Sequence, residues 1–582
     1  MERLLSRITV VILSILVYAL SLSGAVSAQV PDPGVTGPLA VATDEYDFGD
    51  QAFTAVGASH AIELRAVVHH PVDLTNGPFP LLVFVHGGDA PCHKKKRISS
   101  TWPCPAGFTP IPSYRGYDYL GEVLASNGFI VVSISADGIN AFPEVADETE
   151  QLIQKHLDIW NGFNTAGGSP FGNKFVGKVD MNRIGTIGHS LGGQAIVDHY
   201  AFNLRQPSPY GIKAVLALAP ANRFRHTINN VPFAVAMGYC DGQIGLAGAH
   251  YFDDSLFNVA GDPAPKHNIL IMGANHVFFN TVWTPGLFKA TPGDDGKFCD
   301  ADPLTGRLDD AGERAIAAVY VSAFFRVYIK GESQFLPLLT GAAGVPPSIS
   351  FAKVFVSYQP PDNPVFRLDV NRMQDATSLG TNTLGGSVSQ TGLSPFDVCG
   401  GVGEPDHCLS SFDPVMEPHS SSAGNPPVPG LSQLRLAWSD ATAFYKNDIP
   451  AGSRDVSGYE ALQFRVGVRF DDQANKKNQP QDFTVELTDG AGQTASVAVS
   501  SVSGALYFPP GANSSPSAPS TALPRLALNQ VRIPLTAFSG VSLSDIRSIT
   551  FIFDRNASGS LLFSDLTFVA TPGPHGDSSA RK

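Results

Sequence analysis

From about Pro80 to Gly331 short runs of consecutive apolar residues alternate with helical patterns, and past about Pro346 apolar residues recur at every second position instead. "LLVFVHGG" (Leu81 to Gly88) and "FIVVSISAD" (Phe129 to Asp137) are continuous β-rich runs of the kind buried on both faces of a parallel sheet. Between and after them, "ETEQLIQKHLDIW" sets Leu152, Ile153, Leu157 and Trp160 on one helical face, and "AGERAIAAVYVSAFFRVYIKG" predicts a helix that stops at Gly331. Strand and helix in alternation predict an α/β domain with a mostly parallel sheet. In "ALQFRVGVRFDD", by contrast, Leu462, Phe464, Val466, Val468 and Phe470 face one way while Gln463, Arg465 and Arg469 face the other. "DFTVELTDG", "QVRIPLTAF" and "RSITFIFD" repeat that alternation, which predicts an antiparallel β-sandwich. The expected division is therefore an α/β domain over 29–345, a sandwich over 346–572 and a disordered tail over 573–582.

A chain of 582 residues exceeds what one core usually organises, in agreement with two domains. Its 39 basic and 52 acidic residues, a net charge of −13, argue against a nucleic-acid surface. The first residues carry Arg3 and Arg7, an apolar run, then Val26-Ser27-Ala28 before Gln29. This is the order of a secretory signal, with Ala28 as the last residue removed; a retained anchor is the alternative, weakened by Ser21, Ser23 and Gly24. No later segment reads as transmembrane, so no stable membrane insertion is expected. Six cysteines in an exported chain favour disulfides over metal ligation, with neighbours in sequence as the expected couples: Cys92 with Cys104, Cys240 with Cys299, Cys399 with Cys408. No metal site and no cofactor are expected.

Gly188-His189-Ser190-Leu191-Gly192 fits G-x-S-x-G, a strand-to-helix turn in which flanking glycines let the chain bend and lift the serine hydroxyl clear. The strand "NRIGTIG" precedes it and a helical pattern follows, so Ser190 is the candidate nucleophile. An acid and a base should then follow in that order. Asp241 lies just past the strand "VPFAVAMG", ahead of Asp253 and Asp254, which stand off any strand end. His276 lies on the loop after "HNILIMG", with His250 and His267 as rivals. Gly88, after the strand ending in His86, and Leu191 are the candidate oxyanion donors.

The set HGG, GHSLGG, CDG and GANH resembles a secreted member of the α/β-hydrolase superfamily, on the esterase and cutinase-like polyester hydrolase side. The resemblance implies an α/β-hydrolase catalytic domain over 29–345 and a Ser190–His276–Asp241 acyl-enzyme mechanism on carboxylic esters. Little more than "ANRFRHTINN" separates "AVLALAP" from "VPFAVAMG", too short for a large helical lid, so bulky or polymeric esters are the expected substrates. Peptides remain the enzymatic alternative and a non-catalytic binding protein the other. In "CHKKKRISSTWPC" the lysines form either a positive lip or a solvated loop, and Trp102 either a substrate platform or a cover for its own loop. The second half resembles the galactose-binding-like jelly rolls attached to secreted hydrolases, which implies attachment to a carbohydrate or polymer surface, although Trp438 reads equally as core. Because every candidate catalytic residue precedes 345, this half is expected to be dispensable for turnover of small esters.

Overall fold

The computed structural model describes residues 30–573 apart from 143–147, 258, 284–306, 376–377, 402–406, 411–416, 420–429 and 512–523. The expected leader and tail, together with Cys299, lie outside the described residues. In the first half nine strands form one sheet: β1 (Val41–Asp47), β2 (Arg65–Pro71), β3 (Phe79–Val85), β4 (Ile130–Ile134), β5 (Val179–His189), β6 (Ile212–Leu218), β7 (Phe233–Gly238), β8 (Lys266–Ile271) and β9 (Val354–Gln359). Their spatial order is β1-β2-β4-β3-β5-β6-β7-β8-β9. The six from β4 to β8 run parallel, and β2 and β9 flank them antiparallel. Helices cover both faces, as a parallel sheet with two apolar faces requires. On one side Leu152, Ile153, Leu157 and Trp160 of α1 (Thr149–Thr165) are buried with Ala195, Ile196 and Tyr200 of α2 (Leu191–Leu204). On the other lies α3 (Asp310–Lys330), capped by the Asp309 side chain on Gly312 N–H and ended by Gly331 at φ 76°. Among the described residues no helix is long and apolar enough to cross a membrane.

The second half holds two antiparallel sheets. One runs in the order Leu393–Cys399, Gln433–Trp438, Gly559–Val569, Ala461–Val468, Asn529–Pro534, with Arg367–Asn371 along Gly559–Val569. The other runs Val388–Thr391, Phe444–Asp448, Ile546–Ile552, Thr484–Asp489, Thr494–Ala498. Their apolar faces meet in one core, where the Phe464 ring of the first sheet stands edge-on to Phe551 of the second at 5.2 Å. Trp438 belongs to this core: it is buried, stacked on Phe553 at 4.5 Å, and donates its indole N–H to Asn556 O.

One feature differs from expectation. The boundary inferred near 345 falls ahead of β9, which completes the α/β sheet rather than opening the sandwich. Its sequence "VFVSYQ" alternates as the sandwich strands do, because an antiparallel edge strand shows the same period wherever it sits. The polar face of Ala461–Val468 is buried too: Gln463 and Arg465 are as enclosed as their apolar neighbours. Both point at the α/β half. Gln463 Nε2 donates to Tyr358 O at 2.8 Å, and Gln530 Oε1 accepts from Tyr358 N–H at 2.7 Å, so side chains of the sandwich satisfy the open edge of β9. Arg465 bonds Asp253 Oδ1 and Asp565 Oδ2, each at 2.7 Å, and His419 Nδ1 meets Asp253 Oδ2 at 2.7 Å.

Candidate active site

The first strand-end feature is the turn between β5 and α2, for which Ser190 is the sole connecting residue. Its φ of 59° and ψ of −122° lie where a residue with a Cβ is strained by about 1–3 kcal/mol. Backbone contacts hold it there: Ser190 N–H donates to Leu218 O at 3.0 Å, and Ser190 O accepts from Gly193 and Ala221. The glycines are demanded by crowding. A Cβ on Gly188 would collide with the Gly192 carbonyl, one on Gly192 with Val85 O, and one on Gly193 would lie 2.7 Å from Pro220 Cβ.

β3 brings the His86-Gly87-Gly88 segment against this turn. A Cβ on Gly87 would overlap Ser190 Cβ and lie 2.9 Å from its Oγ, so the bare backbone at Gly87 is what allows the approach. The Gly87 carbonyl accepts from Asn140 Nδ2 at 2.9 Å and from His86 Nδ1 at 2.8 Å. His86 Nε2 accepts from Ala136 N–H, which leaves the ring proton on Nδ1. Burial holds this imidazole down at about 4, so it is a neutral structural group. Because a trans peptide sets C=O and N–H on opposite sides, fixing the Gly87 carbonyl also fixes the direction of the Gly88 N–H, and Gly88 is exposed. The second candidate donor, Leu191 N–H, stands in the first turn of α2, where helical N–H groups lack intrahelical partners. Asn140 was not singled out from the sequence; its signal is a polar residue on the short helix Asp137–Ala141 that follows β4.

The acid and the base lie on loops after neighbouring strands. Past β7, Asp241 Oδ1 accepts from the N–H groups of Gln243 (2.9 Å), Ile244 (2.8 Å) and Gly245 (3.3 Å), and Oδ2 lies 2.7 Å from His276 Nδ1. Both side chains are buried. Burial alone would raise the Asp241 carboxyl, but the charge and hydrogen bond of His276 and the backbone donors outweigh it and hold it below the usual carboxylate range. An ionised carboxylate only accepts, so the imidazole proton sits on Nδ1 and Nε2 is left as the basic nitrogen. The Cys240 N–H to Ala274 O bond at 2.8 Å ties the two loops together. His189 packs its ring 5.0 Å from His276 and bonds Tyr117 Oη at 2.8 Å; burial first, then the charge of His276, keeps it neutral.

Residues 104–288 match the family model of PET hydrolase-like proteins. That stretch contains Ser190, Leu191, Asp241 and His276 and begins after Gly88. The match supports an α/β-hydrolase fold and ester-hydrolase chemistry for the first half. No curated protein matches the chain.

Within the matched stretch the rival residues are engaged elsewhere. Asp253 faces His419 and Arg465, and Asp254 accepts from Nε and Nη2 along one edge of the Arg225 guanidinium. His267 lies within β8 and bonds Leu339 O and Tyr328 Oη, whereas His250 lies on the helix Ala249–Phe257. Two of the expected disulfides are formed, Cys92–Cys104 and Cys399–Cys408. Cys240 is disulfide-bonded, and its expected partner Cys299 lies outside the described residues. The Cys92–Cys104 loop holds the strands Cys92–Lys94 and Arg97–Ser99, which form a small sheet with Thr109–Pro110 and leave Lys94, Lys95, Lys96 and Arg97 in solvent. Trp102 is 4% exposed there, donates to Asp50 O and lies under Arg65, so it pins the loop to the segment that leads into β2. No helix occurs between β6 and β7.

Proposed function

We propose that the chain is an exported serine hydrolase of carboxylic esters, acting through an acyl-enzyme on bulky or polymeric substrates. In this reading His276 Nε2 takes the proton from Ser190 Oγ as the oxygen attacks the ester carbonyl. Asp241 holds the imidazole in the required tautomer and stabilises the imidazolium. The Gly88 and Leu191 N–H groups stabilise the oxyanion of the tetrahedral intermediate. The imidazolium then returns its proton to the departing alcohol, and water repeats the sequence to release the acid. The 2.7 Å contact of Asp241 with His276, within the matched stretch and on neighbouring strand ends of the sheet whose β5 leads into the strained Ser190 turn, carries this proposal.

The helix-free segment between β6 and β7 favours an open cleft and hence bulky or polymeric esters over interfacial lipids. Turnover of chromogenic esters of increasing acyl length, alongside chromogenic peptides and polyester particles, tests both the reaction and its substrate class. Ester turnover lost in folded Ser190→Ala supports the reading; near-normal turnover in that variant, or faster cleavage of peptides than of esters, overturns it. Export would leave Gln29 at the mature N-terminus, which N-terminal sequencing checks, and peptide mapping should find Cys240 joined to Cys299. The two antiparallel sheets favour a jelly-roll-like accessory unit. Attachment to carbohydrate gains nothing from Trp438, whose ring lies in the core; pull-down on glycans and polyester particles decides whether the unit also binds a surface.

A further inference from the structure

Arg525, from the second half of the chain, reaches the turn that carries the candidate acid. It lies just ahead of the strand Asn529–Pro534, in a segment that alternates between two cores: Leu526 and Leu528 enter the sandwich core, whereas Ala527 enters that of the α/β half. Arg525 points with Ala527. It is 2% exposed, and its guanidinium donates through Nη1 to Tyr239 O at 2.6 Å and through Nη2 to Asp241 O at 2.5 Å. These carbonyls bracket Cys240, so the planar fork spans the turn whose last residue presents the carboxylate to His276. The tie is reciprocal. Tyr239 Oη accepts from Arg525 N–H and lies 3.1 Å from the carbonyls of Arg525 and Pro510. On the far side of the turn, Gly245 lies close to the guanidinium, with φ at +68°.

Accepting carbonyls alone do not require an arginine, and a buried cation costs several kcal/mol of desolvation. Two features outweigh that cost here. The guanidinium supplies donors in a fixed plane, which no lysine or amide can match across two carbonyls. Its charge also acts on a carboxylate of the same residue whose carbonyl it binds, in a medium where charges are weakly screened. Burial lowers the ionisation range of Arg525, while the Asp241 carboxylate pulls it back and is itself held ionised in part by Arg525.

We propose that Arg525 is a positioning residue for the hydrolytic reaction, supplied by the C-terminal unit to hold the Asp241 turn in register with His276. This rests on the Ser190–His276–Asp241 reading above. The C-terminal half is accordingly a structural part of the active site, acting through the acid rather than on the substrate.

The test uses the full chain. Arg525→Ala and Arg525→Lys are compared with wild type for kcat and KM on a soluble chromogenic ester, with far-ultraviolet circular dichroism and thermal unfolding recorded on the same samples. The expected result is a fall in kcat of tenfold or more in Arg525→Ala with KM within about twofold, and an intermediate kcat in Arg525→Lys, which keeps the charge but not the fork. Guanidinium ion at low millimolar concentration should restore part of the kcat of Arg525→Ala, because truncation leaves a guanidinium-shaped space beside the two carbonyls; a residue that only packed the interface would show no such rescue. Unchanged kcat in folded Arg525→Ala overturns the proposal. If that variant does not fold, wild-type kcat in folded Arg525→Lys does the same. Ser190→Ala run beside them separates the two ideas: activity that depends on Ser190 but not on Arg525 removes this inference alone, whereas activity independent of Ser190 removes the reading beneath it.

Discussion

The His276 imidazole meets the Asp241 carboxylate at 2.7 Å, with both side chains closed off from solvent and the other carboxylate oxygen already occupied by three backbone N–H groups. One oxygen is thus spent on holding the turn and the other on holding the imidazole.

Replacing that carboxylate by an amide should keep the turn and misdirect the base. In Asp241→Asn the amide oxygen can still accept from Gln243 and Ile244, which turns the amide NH2 toward His276 and favours the wrong tautomer. A fall in kcat of about four orders of magnitude with intact secondary structure is expected. Steady-state kinetics on a soluble ester measure it, and a loss below tenfold would remove Asp241 from the mechanism.

Asn140 should affect rate rather than binding. Its amide anchors the Gly87 carbonyl, and through the rigid peptide the Gly88 N–H. Asn140→Ala leaves His86 as the remaining side-chain anchor, so kcat should drop about tenfold, less than the roughly hundred- to thousandfold lost when an oxyanion donor itself is removed. A KM effect without a kcat effect would place Asn140 in substrate binding instead.

The buried Asp253 links the halves and makes their union sensitive to acid. Burial pushes its carboxyl up, but the charges of His419 and Arg465 and their hydrogen bonds outweigh this and depress it well below the ordinary range. A depressed folded-state value contributes stability that is fully present above the unfolded carboxyl range near pH 4 and is lost as pH falls through the folded value. Asp253→Asn, which leaves Arg465 and His419 without this partner, should cost about 3–5 kcal/mol near neutrality. Chemical denaturation from pH 3 to 7 should show the gap between wild type and variant narrowing below about pH 4. A gap that widens on acidification would contradict the assignment.

A chain cut near Val345 should not behave as an independent hydrolase. The cut removes β9 and with it the antiparallel cover of β8, and it strips Arg525 from the Asp241 turn. Poor solubility and loss of turnover even on small esters are expected. A soluble truncated protein with wild-type kcat would restore the view of the second half as a detachable appendage.

That view is what the sequence alone favours, and the reason is physical. Strand ends carrying Ser190, Asp241 and His276 are legible because apolar runs announce where each strand stops and glycines announce where the chain must bend. The contact of Asp241 with His276 follows from placing both on neighbouring strand ends. The edge strand β9 is not legible, since alternation reports one covered face without saying which sheet does the covering. Nor does the pattern of Gln463 and Arg465 distinguish a wet face from one buried against polar groups of another unit. Arg525 is less legible still: it stands in "LPRLALNQ" as a lone cation beside a strand, and its value lies in a partner far away in the chain.

That distance sets an order of events during synthesis. Asp241 and the arginine that grips its carbonyl are 284 residues apart, so the acid turn emerges from the ribosome long before its clamp. Tyr358 likewise waits 172 residues for Gln530 to satisfy its N–H. A chain threaded outward from its N-terminus therefore delivers its candidate nucleophile, acid and base early and the side chains that hold their turns late, so a nascent or prematurely terminated product lacks those contacts.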